Sequence, residues 1–267
     1  AHILVDRLAG SITGLLQDVF ERYGEAASYF GAGVGVGGRV PTKVVFTHRG
    51  VFGNAAVVAF SSTSCAVTVR HGWQRIAGPF VATRTDRTSI LELDWESATK
   101  VYREVLGDTL PSSLDSPEAV GVTKRHPLGI SREGEEDVVR DPLHVDEDRG
   151  ELLCLSDVPQ NSVMHILRGD DDALIESIEQ AVTDVVCGLG DIRPGHAVVY
   201  DCLSRETLLG ERFGEELARL GDCIETAFPG CVVEGALALG EIGSDGRRRP
   251  EFLNKTVSLG MFHARVE

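Results

Sequence analysis

Short apolar runs and amphipathic stripes take turns along the chain, and their spacing predicts its elements. "HILV" near the start reads as a strand, and "ITGLLQDVFERYG" as a helix with Leu15, Leu16, Val19 and Phe20 on one face. From Val44 to Leu93 the runs "KVVFTH", "NAAVVAFSS", "CAVTVRH", "GPFVATRTD" and "SILELD" alternate with turns such as "RGVFGN" and "HGWQRIAGP". Consecutive strands with short turns predict an antiparallel β-meander. "DWESATKVYREVLG" predicts a helix with Asp94 as N-cap and Gly107 as its stop.

The second half resumes with strands in "HPLGISRE", "DVVRDPLHV", "GELLCLSD" and "SVMHILRGD". A long helix follows in "DDALIESIEQAVTDVVCG", with Asp170, Asp171 and Asp172 at its positive end. "HAVVY", the helix stripe Leu208, Leu209, Phe213, Leu217 and Leu220, and the strands "CVVEGALALGE" and "FLNKTVSLGMFHARV" complete the chain. The pattern predicts an α+β fold: two domains, 1–94 and 95–267, built on mainly antiparallel sheets with flanking helices. Residues 111–118, "PSSLDSPE", are the expected mobile loop.

Two stretches raise chemical questions. "GAGVGVGG" holds a literal G-x-G-x-x-G at Gly33, Gly35 and Gly38, but strand-like sequence follows it where a dinucleotide loop needs a helix. A tight turn is expected there, with no dinucleotide. "YDCLSR", residues 200–205, lies where a strand gives way to a helix, a junction that holds binding groups rigidly.

Charge sharpens the picture. The 267 residues carry 41 acids against 26 bases, a net charge of −15, and only four bases are lysines. Acid excess with scarce lysine predicts a cytoplasmic protein working at molar salt, where the Debye length falls to ~3 Å and self-repulsion costs little. The same balance excludes nucleic acid as partner, for want of a basic stripe. No apolar run is long enough for a membrane helix. The six cysteines form no C-x-x-C, so neither a zinc ribbon nor a thioredoxin motif is supported, and reduced buried thiols are expected. Among the eight histidines there is no H-x-x-x-H pair.

Several segments together resemble one family. "GALALGEIGSDGRRRPEFLNKT" (235–256) is similar to the C-terminal signature of FIST-domain proteins, a G-x-L-x-x-G-E strand, a variable turn and F-x-N-K-T. "HGWQRIAGPFVATRTDRTSILELDWESA", "VVRDP", "ILRGDDDALI" and "DCLSR" resemble the same family's pattern in the same order. The resemblance implies FIST N-terminal and C-terminal regions of a prokaryotic sensory module. The family usually has more strand-forming sequence ahead of this start, so a truncated N-terminus is expected. Small ligands, amino acids among them, are the implied signals. The implied partners are a histidine kinase or an attached output domain. Some relatives bind haem and sense nitric oxide, and His71 in "RHGW" is the candidate axial ligand for that alternative.

For an amino acid or small carboxylate, in a pocket between or within the domains, the candidate contacts are Arg205, Asp201, Cys202, Ser204, Glu241 and Asn254. Arg205 can pair bidentately with a carboxylate, while Glu241 or Asp201 takes an ammonium. The plainer readings are a salt bridge from Arg205 to Asp201 or Glu206, and a Glu241–Lys255 ion pair. Cys202 is a packing thiol, a ligand contact, or the nucleophile of a cysteine hydrolase; it lacks a base nearby in sequence, and no enzyme is the expected reading. The charge balance yields a direct test. Melting temperature should rise steeply between about 0.1 and 3 M potassium chloride as repulsion is screened. A flat or falling curve refutes the high-salt reading.

Overall fold

The computed structural model describes residues 1–36, 42–111, 116–190 and 193–263. The chain opens with β1 (His2–Asp6), α1 (Ile12–Tyr23) and β2 (Tyr29–Val34). β1 and β2 run parallel, with His2 opposite Phe30 and Asp6 opposite Val34. Parallel neighbours need a crossover, and α1 supplies it. Leu16 is buried, and Ile12, Leu15, Val19 and Phe20 pack with it against Ile3, Val5 and Tyr29, as the apolar spacing predicts.

The glycine-rich stretch differs from the expected turn: Gly31 and Gly33 lie inside β2. The reason is close approach. A Cβ on Gly31 would stand 1.8 Å from the Ile3 carbonyl oxygen, and one on Gly33 would stand 2.6 Å from that of Leu239. Gly38 falls outside the described residues, and the next described element is a strand, β3 (Val45–Thr47).

Then come β4 (Gly50–Phe52), β5 (Ala56–Ala59), β6 (Cys65–Arg70), β7 (Gln74–Val81), β8 (Arg84–Asp86), β9 (Ser89–Leu93) and β10 (Glu96–Ser97). After α2 (Ala98–Leu106) and α3 (Pro117–Arg125) follow β11 (Leu128–Ile130), β12 (Val138–Arg140), β13 (Pro142–Asp146), β14 (Glu151–Cys154) and β15 (Val163–Arg168). α4 (Asp171–Gly188), β16 (Pro194–Cys202), α5 (Leu203–Leu209) and α6 (Phe213–Ala227) lead to four last strands. These are β17 (Val232–Ala238), β18 (Glu241–Ser244), β19 (Glu251–Leu253) and β20 (Val257–His263).

The expected meander does not form. β5 pairs with β1, β6 with β20, β7 with β15 and β9 with β14, so neighbouring runs enter different sheets. Each run has backbone edges that more than one partner can satisfy, and here they are taken by strands elsewhere in the sequence. Only β3–β4 and the β8–β9–β10 set keep consecutive pairing in this stretch.

By packing, the chain divides into two compact units, one of them discontinuous in sequence. One unit contains 1–71 and 175–267; the other is the continuous stretch 72–174. Residues from both chain ends share sheets in the first unit, which is why a cut along the sequence misses it. Its first sheet has the order β19-β18-β2-β1-β5, and its second β17-β16-β20-β6. The sheets face each other: the Phe30 ring lies 5.1 Å from that of Tyr200, and the Ser258 hydroxyl donates to the Ile242 carbonyl. α1 covers the outer face of the first sheet. Ile178, Val182 and Val185 of α4, with Leu220 and Ile224 of α6, cover Ala197, Val199, Leu259 and Met261 on the second.

The other unit holds the sheet β12-β11-β15-β7 and the sheet β10-β9-β14-β13, with β8 on β9. Tyr102 and Leu106 of α2 share its core with Leu128, Met164, Ile166, Ile90 and Leu152. Ser97, not Asp94, precedes the helix. Asp94 instead has φ +50 and accepts a hydrogen bond from the Val81 amide at 2.8 Å. Gly107 ends α2 with φ +51, as expected. Of the expected loop 111–118, residues 112–115 fall outside the described residues, and Ser116 caps α3 by accepting the Ala119 amide at 3.2 Å.

These placements predict opposite responses at two glycines. Gly31→Ala should destabilise by about 1–3 kcal/mol or more, because the new methyl meets backbone that cannot yield. Gly214→Ala, within α6 and with nothing near its would-be Cβ, should stabilise by about 0.5–1 kcal/mol. Urea denaturation of both variants checks the pair; equal tolerance at Gly31 refutes the close approach.

Candidate functional site

β16 ends where α5 begins, and strand alternation decides what each residue of "YDCLSR" faces. Ala197 and Val199 point toward α4 and α6, while the Tyr200 hydroxyl meets His2 Nε2 of the first sheet at 2.7 Å. Asp201 therefore faces the helices, and Cys202 faces the space between the sheets. Two adjacent residues serve two different layers.

Beneath the helices lies an ion cluster. The first turn of α5 places Arg205 four residues from Asp201, with Nε 3.4 Å from Asp201 Oδ1. Arg205 has 0% exposure. Its Nη2 donates to Glu216 Oε2 at 2.8 Å, its Nε to Oε1 at 3.2 Å, and its Nη1 to the His71 carbonyl at 2.7 Å. The carboxylate expected from a ligand is thus supplied by Glu216 of α6, and Glu206 is not the partner. The apolar stripe places Leu217 in the core and passes over Glu216. Leu217 is 47% exposed, whereas Glu216 is fully buried on the same face as Leu220 and Ile224. The i, i+4, i+8 spacing of those three was the available signal.

The second cluster sits between the sheets, where the chain changes sheet twice. Leu239 and Gly240 carry it from β17 to β18, and residues 254–256 carry it from β19 to β20. Glu241 begins β18 and is fully buried. Its Oε2 accepts the Thr256 hydroxyl at 2.7 Å and the Thr256 amide at 3.2 Å. Its Oε1 is buried without a hydrogen-bond partner among the described residues. Cys202 Sγ accepts the Lys255 amide at 3.3 Å, and Lys255 itself turns through φ +57. Asn254, 1% exposed, donates to the Leu253 carbonyl at 2.9 Å.

Electrostatics follow from this burial. Desolvation raises the Glu241 carboxyl to about 8, against the lowering effect of the Thr256 hydroxyl and amide, the Cys202 thiol and the Gly240 amide, so burial favours its protonated form. Asp201 also lies well above the usual carboxylate range, through burial first; Arg205 opposes the shift, and Glu216 adds to it. Burial and the nearby Glu241 push the Cys202 thiol up, the wrong direction for a nucleophile. The Ser204 amide leans on that sulfur, while the Ser204 side chain is half-buried at the start of α5.

His71 is buried, and the contact described for it is through its carbonyl to Arg205. Among the described residues no set of three or more His, Cys, Asp or Glu could hold a metal ion. No helix among them is long and apolar enough to cross a membrane. Of the six cysteines, all unpaired, only Cys154 and Cys202 are buried, fewer than expected.

Comparison with known proteins divides the chain by sequence. Residues 1–96 match the family model of the FIST N domain, and residues 98–244 that of the FIST C domain. No curated protein and no solved structure matches the chain.

The raised Glu241 carboxyl sets a pH dependence. Its folded value near 8 exceeds the ordinary 4.5, so the folded state holds more protons between those values. Its contribution to stability is full below about 4.5 and is lost as pH rises through 8, by at most ~1.4 kcal/mol per pH unit. Glu241→Gln keeps the shape without the titration. Urea midpoints from pH 5 to 9 should fall for the wild type and fall less steeply for the variant, in which the raised Asp201 carboxyl still contributes; parallel profiles refute the assignment.

Proposed function

The chain belongs to the FIST family of sensory and signal-transduction domains, and on that premise we propose that it senses an amino acid through Glu241. The observation that carries the reading is the Glu241 carboxyl, fully buried, held neutral at pH 7 and one hydrogen bond short at Oε1. With Oε2 taken by Thr256, the proton of the neutral carboxyl sits on Oε1, and a buried polar group left unpaired costs about 1–3 kcal/mol, which a ligand partner recovers. An ammonium placed against Oε1 stabilises the carboxylate form, so binding ionises Glu241 and releases a proton. Cys202 and Asn254, at the same sheet crossovers, form the surroundings of the ligand, and Cys202 does no covalent work. Asp201 and Arg205, with Ser204 at the head of α5, brace the strand end that carries Cys202.

The signal follows from position. Glu241 is bonded to Thr256, so one carboxyl joins both crossovers of the first unit. Ionising it changes the strength of those bonds and shifts the packing of the two sheets. The receiver is a histidine kinase or an attached output domain, and the setting is a high-salt cytoplasm.

A thermal-shift screen of amino acids in high potassium chloride tests the proposal. A true ligand at a hundred times its Kd adds about 2.7 kcal/mol of stability. Calorimetry in two buffers of different ionisation enthalpy should show proton release of about one per site near pH 7. Both effects should vanish in Glu241→Gln. A ligand that stabilises the variant equally, or binds without releasing protons, refutes Glu241 as the sensor; an inert amino-acid panel refutes the ligand class.

A further inference from the structure

The unit formed by 72–174 contains a second group of polar side chains that no part of the sensory reading uses. On the sheet β12-β11-β15-β7, Met164 and Ile166 of β15 face the core, which turns the intervening His165 to the opposite face. His165 is 7% exposed, and its Nδ1 lies 2.9 Å from Asp137 Oδ2. Asp137, just ahead of β12, is also gripped by Arg75 of β7, through Nε at 3.1 Å and Nη2 at 2.5 Å. An ionised carboxylate only accepts, so Nδ1 carries a proton, and in the neutral imidazole the Nε2 lone pair is the open position. Nε2 has no hydrogen-bond partner among the described residues.

Glycines make the room for this arrangement. A Cβ on Gly129 of β11 would come within 2.7 Å of Asp137 Cβ and 2.8 Å of its Oδ2. A Cβ on Gly78 of β7 would come within 2.9 Å of His165 Cδ2. The strands on both sides of β15 give up a side chain where they pass the pair.

Arg75 completes the set. Asp137 occupies two of its nitrogens, Nη1 is left over, and the side chain is 47% exposed. The three residues thus offer a fixed hydrogen-bond acceptor, Nε2, and a cationic donor, Nη1, both anchored on one carboxylate whose charge Arg75 balances. We propose that His165 and Arg75, held in place by Asp137, form a recognition site for a small hydroxy-carboxylate. The ligand hydroxyl donates to His165 Nε2 and its carboxylate accepts from Arg75. Asp137 is a positioning residue that fixes the imidazole tautomer.

Histidine-selective 15N labelling of the whole chain reads the site directly, with L-lactate and glycolate as probes. In the free protein His165 should show the Nδ1–H tautomer. Both probes should shift its Nε2 resonance saturably. Acetate, which lacks the hydroxyl, and isopropanol, which lacks the anion, should each need about tenfold or more higher concentration, the loss of one good hydrogen bond. Asp137→Asn should change the tautomer signature and weaken lactate by a similar factor. If that variant does not fold, the wild-type spectra alone decide. An Nε2–H tautomer in the free protein, no saturable shift with either probe, or an equal response to acetate each overturns the proposal. Neither probe carries an ammonium, so the outcome is independent of any amino-acid response at Glu241.

Discussion

A guanidinium with no exposed surface must be balanced where it stands, and the balance at Arg205 organises the larger unit. Removing one partner of a buried ion pair typically costs 3–5 kcal/mol, because the other charge is left stranded. Arg205 therefore fixes more than a side-chain contact. Through Glu216 it holds α6 against the second sheet, through Asp201 it ties the end of β16 to α5, and through the His71 carbonyl it anchors the chain just beyond β6. Those elements come from distant parts of the sequence, and one fork joins them. The adjacent Cys202 then has no freedom, because its neighbour's charge sets the register of the strand end.

The chain reads well locally and poorly at long range. The helix over "ITGLLQDVFERYG", the glycine stop at Gly107 and the strand-to-helix junction at Cys202 were all legible, because each depends on residues within a few positions. The sheets were not. Whether "CAVTVR" pairs with its neighbours or with β20 depends on which apolar face finds cover, and the pairing of Cys65 with Phe262 leaves no local trace. The same limit applies to the sites. Asp201 and Arg205 are four apart and visible together, but Glu216 competes with Leu217 for the inward face. Asp137 and His165 meet across strands 28 residues apart, beyond any spacing rule.

The two polar clusters of the larger unit obey different physics. The Arg205 group is an ion set whose charges compensate one another under the helices. The Glu241 group is closer to a neutral hydrogen-bonded network, with a carboxyl kept protonated by burial and engaged by Thr256. The first gives rigidity, since no member can leave without exposing a charge. The second is soft, since a proton entering or leaving changes its state without moving a heavy atom. A sensory domain needs both: a fixed frame, and an element in it whose state a ligand can alter.

The discontinuity of the larger unit has a consequence for biosynthesis. Residues 72–174 form a continuous stretch, so that unit is fully synthesised while the ribosome is still far from the strands that β2 and β6 require. Domains fold as they emerge, at roughly 5–20 residues per second, so the first 71 residues wait about ten to forty seconds with open strand edges until β18 and β20 arrive. During that interval the nascent chain is a folded insert with an unfinished leader.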